Sequence, residues 1–376
     1  MSIASEDAVG RGPAPFEVRT ASRTYPVVVG PDVLGTLPGW LERVGLRGRL
    51  WLIADAAVYA RYGGPVEAAL AAAGREVASR TVPSGEEHKS LAHVAELYDW
   101  LLAGRVERRD AILALGGGVV GDMAGFVAAT ILRGIAFVQL PTTLLAQVDA
   151  SIGGKVAVDH PRGKNLIGAF HQPSLVVADT ATLATLPPRE LAAGWAEVVK
   201  TGVILDADLF ALLEREADAL REARPGPTEA AIRRCMALKG EVVGEDERES
   251  GRRAILNYGH TVGHAIEAAT AYGRYLHGEA VAIGLRAAAH IAVVTGRFPA
   301  EAAERQAALI ARFGLPRSAP GVDRAAVRAA MGLDKKAEAG RLTWVLPTRL
   351  GDADTFRDVP DALVDEALDL VLTDQP

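Results

Sequence analysis

Between residues 50 and 178 the chain repeats one pattern that leaves few folds open to it. Short strand-like runs, most of them apolar from end to end, alternate with longer Ala- and Leu-rich stretches. The strand-like runs are Leu50–Ala54 (LWLIA), Val77–Val82, Ala111–Leu115 (AILAL), Ala136–Leu140 (AFVQL) and Leu175–Ala178. Between them, Pro65–Ala73, Leu91–Leu102 and Val119–Ala129 have helical length and composition. Strands apolar on both sides need cover on both sides, so the pattern predicts a mainly parallel, Rossmann-like sheet sandwiched by helices. Two further strands are expected at Phe16–Thr20 and Tyr25–Val29. In such sheets, ligands bind beyond the carboxyl ends of the strands.

After about Leu183 the strand signals cease until Leu342–Val345, and Ala, Leu, Glu and Arg dominate with helical periodicity. Pro187-Pro188 suits the first turn of a helix, and Arg224-Pro225-Gly226-Pro227 separates two others. The expected organisation is a disordered tail over 1–15, an α/β domain over 16–180 and an all-α domain over 181–376. The tail carries Glu6 and Asp7 and no apolar stretch, unlike a signal peptide. The most apolar helical stretch, Ala280–Thr295, is interrupted by Arg286 and His290 and is too short for a clean membrane span. A cytoplasmic protein with no membrane partner is expected. A net charge of −6 argues against a general nucleic-acid binder. The single cysteine, Cys235, excludes an internal disulfide framework and a thiolate-cluster metal site.

The chemistry-bearing segments fall at strand ends and helix starts. Gly116-Gly117-Gly118-Val119-Val120-Gly121-Asp122 follows the AILAL strand and opens a helix. Bare backbone N–H groups at a helix N-terminus suit a nucleotide pyrophosphate, although a tight strand-to-helix turn needs the same glycines. Pro141-Thr142-Thr143 follows the next strand, where threonines cap a helix or bond a ligand. In Asn257-Tyr258-Gly259-His260-Thr261-Val262-Gly263-His264, two histidines at i, i+4 share a helix face. His277-Gly278-Glu279 heads a further helix, and Glu197 interrupts an otherwise apolar helical stretch. Two histidines and a carboxylate would make a catalytic-type metal site; capping and core histidines are the plain alternative. Lys155, Lys164, Lys200, Lys239, Arg253 and Lys335-Lys336 stand in apolar or glycine-rich surroundings, or beside carboxylates. An unpaired ammonium there is costly, so convergence on an anionic ligand makes better sense of them.

Taken together, PSGEEHKS (83–90), GGGVVGD (116–122), LPTTLLAQVDASIGGKVAVDHPRGKNLIGAFHQP (140–173), AEVVKTG (196–202), LNYGHTVGH (256–264) and HGEAVAIG (277–284) resemble the 3-dehydroquinate synthase family, in its order and spacing, from about Val18 to Leu350. The resemblance implies an NAD-binding α/β domain and a helical metal-binding domain. It implies conversion of 3-deoxy-D-arabino-heptulosonate 7-phosphate to 3-dehydroquinate and phosphate, in the shikimate route to aromatic amino acids. The implied course is transient oxidation by NAD, phosphate elimination, re-reduction and intramolecular aldol closure. It further implies a homodimer and a divalent metal, zinc or cobalt, held by Glu197, His260 and His277, with His264 in proton relay.

Carried over by motif, Arg133, Lys155, Asn165, Lys200, Lys239, Arg253, Asn257 and one of Lys335 or Lys336 hold the substrate, with Asp149 and Glu249 as polar members of the same site. Asp55, Glu86, Lys89, Gly117, Gly118, Val119, Asp122, Thr142, Thr143, Leu145, Lys164, Thr185 and Leu186 match the NAD site, with Asp149 and Lys155 beside it. Two positions depart from the common pattern: Tyr258 replaces the more usual Phe or Trp, and Ala57 replaces a polar cofactor contact. The competing readings are a sister cyclase acting on sedoheptulose 7-phosphate or glucose 6-phosphate, a metal-dependent alcohol or glycerol dehydrogenase, and a catalytically dead scaffold. Glycine makes up 39 of the 376 residues, an excess expected to keep backbone bare around the ligands.

Overall fold

The computed structural model describes residues 14–332 and 342–373. The tail reading over 1–13 and the pair Lys335-Lys336 therefore lie outside the described residues. Among the described residues two compact units are formed: 14–185 with 239–248, and 186–238 with 249–373. The first unit ends a few residues beyond 180 and takes back a short later segment that no change in composition announces.

In the first unit, β1 (Phe16–Arg19), β2 (Thr24–Gly30), β3 (Leu50–Asp55), β4 (Val77–Val82), β5 (Ala111–Gly116) and β6 (Ala136–Pro141) precede a hairpin of β7 (Lys155–His160) and β8 (Gly163–Phe170), and β9 (Leu175–Asp179) follows. The helices are α1 (Leu37–Arg43), the short α2 (Ala56–Val58), α3 (Gly64–Ala72), α4 (Leu91–Ala103) and α5 (Gly118–Thr130). The seven-stranded sheet runs β1-β2-β9-β6-β5-β3-β4, and only the β1–β2 pair in it is antiparallel. Side chains alternate across it. Leu50, Leu52 and Ala54 pack with Trp40, Leu41 and Leu70 on one face, while Trp51, Ile53 and Ile112 pack with Leu97, Leu101 and Val127 on the other. From β3 the chain goes outward to β4 and then crosses back to β5. The order therefore reverses between β3 and β5, which opens a crevice at their carboxyl ends.

The second unit contains α6 (Pro188–Leu205), α7 (Ala207–Arg221), most of α8 (Pro227–Glu245), α9 (His260–Ala269), α10 (His277–Val294), α11 (Ala300–Arg312), α12 (Arg324–Gly332) and α13 (Asp361–Leu372). It is helical but not all-α: β10 (Trp344–Arg349) and β11 (Asp352–Phe356) form an antiparallel hairpin. The hairpin is anchored by a hydrogen bond from Gly351 N–H to the Val203 carbonyl at 2.8 Å. Among the described residues no helix is long and apolar enough to cross a membrane.

Candidate functional sites of the two units

The strand-end cradle of the first unit lies at the sheet's reversal point. Asp55 ends β3 and Gly116 ends β5 beside it, so close that a Cβ on Gly116 would sit 3.3 Å from the Asp55 Cβ. Asp55 Oδ1 accepts from the Ala57 and Val58 amides at 2.8 and 3.1 Å, capping the short α2. Gly117 is the N-cap of α5 and offers no side-chain cap, so the first-turn amides of this helix have no side-chain acceptor there. Gly121 serves a different purpose: its Cβ would come within 2.8 Å of Gln139 Oε1 on β6, so it lets α5 lie against the sheet. The two threonines divide the roles left open by the sequence. Thr143 Oγ1 accepts from Ala146 N–H at 3.2 Å, as a cap does. Thr142 is buried, and its hydroxyl has no hydrogen-bond partner among the described residues.

Beside the cradle, Lys89 is 3% exposed and donates to Asp122 Oδ2 at 2.6 Å and to Asn165 Oδ1 at 2.5 Å. Glu86 lies 3.9 Å from Lys89 Nζ and 3.8 Å from Lys164 Nζ. Burial works against the Lys89 ammonium, but the carboxylates of Asp122 and Glu86 outweigh it and hold its pKa above the ordinary lysine value. Glu86, Lys89, Asp122, Lys164 and Asn165 thus share one network, although the motifs divide them between cofactor and substrate. Lys239, on the segment of α8 that returns to this unit, donates to Asp149 Oδ1 at 2.5 Å and to its carbonyl at 2.7 Å. Lys155 starts β7, while Val119 lies in the first turn of α5 and Leu145 just before the turn that carries Asp149. Thr185 closes the unit with its hydroxyl 2.7 Å from Tyr62 Oη, and Leu186 begins the next.

Arg133 is not brought to this cradle. It precedes β6 and so lies at the amino end of the sheet, opposite Thr142, in a turn where Leu132 and Arg133 both take left-handed φ values of 50° and 68°. There it lines a cavity with Arg23, Arg108 and His171. Sequence reasoning also missed Gln147. This fully buried residue donates to the carbonyls of Pro141 and Asp179 at 3.2 and 2.9 Å and so ties β6 to β9.

In the second unit, glycines set the distances. A Cβ on Gly278 would lie 1.9 Å from the Ala193 carbonyl oxygen, and one on Gly284 would lie 1.9 Å from that of Gly259. Only bare backbone lets α10 approach α6 and the start of α9 this closely. Gly263 adds a third close approach, 3.1 Å from the Ala280 carbonyl to the Cβ it lacks. Arg189 on α6 forks onto Glu279 of α10 with two contacts of 2.7 Å, which ties the amino ends of both helices together. The Tyr258 hydroxyl is buried but donates to Gln306 Oε1 at 2.8 Å, which explains how the extra hydroxyl is accommodated at this aromatic position.

This packing brings Glu197, His260, His264 and His277 together. One ring nitrogen from each of the three histidines lies within 4.8 Å of the other two. Glu197 is 1% exposed, and its Oε1 lies 3.6 Å from His260 Nε2 and 3.7 Å from His277 Nε2. Among the described residues that oxygen has no hydrogen-bond donor. These separations are too long for hydrogen bonds but close to the ~3.3–3.6 Å between donors bound at ~2.0–2.2 Å around a tetrahedral ion. The donor set, two imidazoles and a carboxylate with a third imidazole alongside, fits a catalytic zinc-type ion. The far nitrogens are also oriented: His260 Nδ1 lies 3.1 Å from the Tyr258 carbonyl, and His277 Nδ1 lies 3.0 Å from Glu267 Oε2. Lys200 forms a buried ion pair with Glu197 Oε2. Asn257 donates to Glu249 Oε1 at 2.7 Å, and Arg253, in the same short helical turn (Arg252–Asn257), is 2% exposed.

Several known proteins similar in sequence to this chain belong to one family. Residues 79–193 match the model of the 3-dehydroquinate synthase N-terminal region, and residues 194–337 match that of its C-terminal region. A 3-dehydroquinate synthase from Nostoc punctiforme is 49% identical over 94% of this chain and 98% of its own length. Among solved structures, 2-epi-5-epi-valiolone synthase from Streptomyces hygroscopicus subsp. jinggangensis, with NAD+ and Zn2+ bound, superposes with a TM-score of 0.85 at 32% identity, covering 92% of this chain and 95% of that one. A 2-deoxy-scyllo-inosose synthase complexed with carbaglucose-6-phosphate, NAD+ and Co2+ gives a TM-score of 0.85 at 30% identity, covering 94% and 99%. The fold is that of the sugar-phosphate cyclases. Within that class, the chain belongs to the 3-dehydroquinate synthase family.

Proposed function

We propose that this chain converts 3-deoxy-D-arabino-heptulosonate 7-phosphate to 3-dehydroquinate and phosphate, with NAD and a divalent zinc or cobalt ion as cofactors. The observation that carries the reading is the buried Glu197 oxygen that takes no hydrogen bond from any described residue and faces two oriented imidazoles. The 49% identity to a 3-dehydroquinate synthase, against 30–32% to two sister cyclases, favours this substrate over theirs.

Glu197, His260 and His277 would hold the ion, and the cradle of Asp55, Gly117, Gly118 and Thr142 would hold NAD. When bound, NAD supplies a reversible hydride acceptor and the ion a Lewis acid for the substrate hydroxyls. The chain's own residues bind and orient. The uncapped amides of α5 suit a pyrophosphate, and the free Thr142 hydroxyl gains a partner. Lys155, Lys200, Lys239 and Arg253 supply positive charge for a phosphate and a carboxylate, while Asn165, Asn257, Asp149 and Glu249 orient hydroxyls. His264, one turn along α9 from His260, relays a proton from the substrate.

A homodimer belongs to the same reading. Arg133 is separated from the cradle of its own chain by the length of β6, roughly 16–20 Å. As a substrate residue it would serve the cradle of a second copy. The place of work is the cytoplasm, as expected from the sequence.

The test is phosphate release from the heptulosonate, with and without NAD and a chelator. Release should stop with the chelator, return with Zn2+ or Co2+, and leave no net absorbance change at 340 nm. Cyclisation of sedoheptulose 7-phosphate but not of the heptulosonate would overturn the substrate assignment, and accumulation of NADH would point to a dehydrogenase.

A further inference from the structure

Glu267 is a buried carboxylate for which none of the family motifs assigns a role. It lies on α9, one turn beyond His264, and is 3% exposed. A carboxylate buried to this degree is costly unless it is paired. Its Oε2 lies 3.0 Å from His277 Nδ1, on the neighbouring helix α10. The Nε2 of the same ring faces Glu197 Oε1 at 3.7 Å.

We infer that Glu267 is a positioning residue for His277. An ionised carboxylate only accepts, so it fixes the imidazole proton on Nδ1 and leaves the Nε2 lone pair facing Glu197 and His260. Its negative charge and its hold on the ring also favour a divalent cation at the opposite edge of the imidazole. His260 is oriented by other means, since its Nδ1 meets the backbone carbonyl of Tyr258. One imidazole is thus held by main chain and the other by a side chain carried on α9. Glu267 is therefore the side chain whose substitution loosens the His277 ring. This inference rests on the metal reading given above.

The test compares full-length wild type, Glu267→Gln and Glu267→Ala. Zinc affinity is measured by competition with a chromophoric chelator, and Co2+ loading by its visible absorption bands. Loss of the carboxylate should weaken zinc binding about 10–100-fold in Glu267→Ala and change the Co2+ bands. Glu267→Gln keeps an acceptor oxygen without the charge and should fall between Glu267→Ala and wild type. NAD affinity should be unchanged in both. If wild type binds no metal, the metal reading itself fails. If wild type binds and every folded variant matches it in affinity and spectrum, only the inference about Glu267 is overturned. A residue that merely fills space would lower the melting temperature of the metal-free protein and leave zinc affinity and the Co2+ bands unmoved. Should Glu267→Ala not fold, Glu267→Gln alone decides, because a charge-dependent effect survives in it.

Discussion

The two units assemble their polar residues by opposite means. In the first, parallel strands end together, and the residues just past each end, Asp55, Gly117 and Thr142, become neighbours because the strands are. In the second there is no shared edge. Glu197, His260 and His277 come from three helices, and they meet because glycines remove the side chains that would keep those helices apart. A strand-end site tolerates change around it as long as the sheet registers; a helix-packed site depends on every close approach. Each unit should therefore fail in its own way.

The largest effect is expected from Glu197→Ala. Loss of a Lewis acid worth several kcal/mol should cut turnover by at least roughly a thousandfold. NAD binding, measured by calorimetry, should persist, and loss of both would break the separation of the two sites. Next comes Gly278→Ala. Its methyl group would have to displace the Ala193 carbonyl 1.9 Å away, so denaturant unfolding should show a loss of about 1–3 kcal/mol, with weaker zinc binding and unchanged NAD affinity. Thr142→Val should do the reverse: NAD affinity about fivefold lower, the equivalent of one hydrogen bond of ~1 kcal/mol, with zinc content intact.

The smallest effect should touch neither ligand. Burial, with Arg23 adding to it, holds the His171 imidazole below its ordinary pKa against the opposing pull of the Ile135 carbonyl. The unfolded chain therefore takes up this proton first as pH falls below about 6.5, so stability drops over that interval. His171→Gln should flatten this part of the stability–pH curve without altering zinc or NAD binding. A change in NAD affinity would mean that the two ends of the sheet are coupled.

The same contrast explains what could be read from sequence. The sheet was legible because LWLIA, AILAL and AFVQL are apolar on both faces, and the Gly116–Gly118 turn because it follows a strand directly. The histidine pair was legible from its i, i+4 spacing. Glu267 was not, because a glutamate on an amphipathic helix reads as solvated surface until the neighbouring helix is placed. Gln147 was hidden because its partners, the carbonyls of Pro141 and Asp179, become neighbours only when β6 and β9 pair. The β7–β8 hairpin and β11 are not legible because polar residues break their alternation, as in Lys164-Asn165 and Asp352–Thr355, whereas the signal at Leu342–Val345 marks the start of β10. The glycine excess reads from sequence as bare backbone around ligands, but Gly121, Gly263, Gly278 and Gly284 make room for packing elements instead.

The return of residues 239–248 to the first unit bears on how such a protein can be recombined. Lys239 meets Asp149 there, Glu247 accepts from the Ser22 amide, and Gly240 leaves room for Val18. A chimaera made by a single cut after Thr185 would inherit its first unit from one parent and this patch of that unit from the other. Exchange between relatives therefore needs breakpoints on both sides of the returning segment, and lineages that shuffle at one junction inherit a mismatched seam at Lys239.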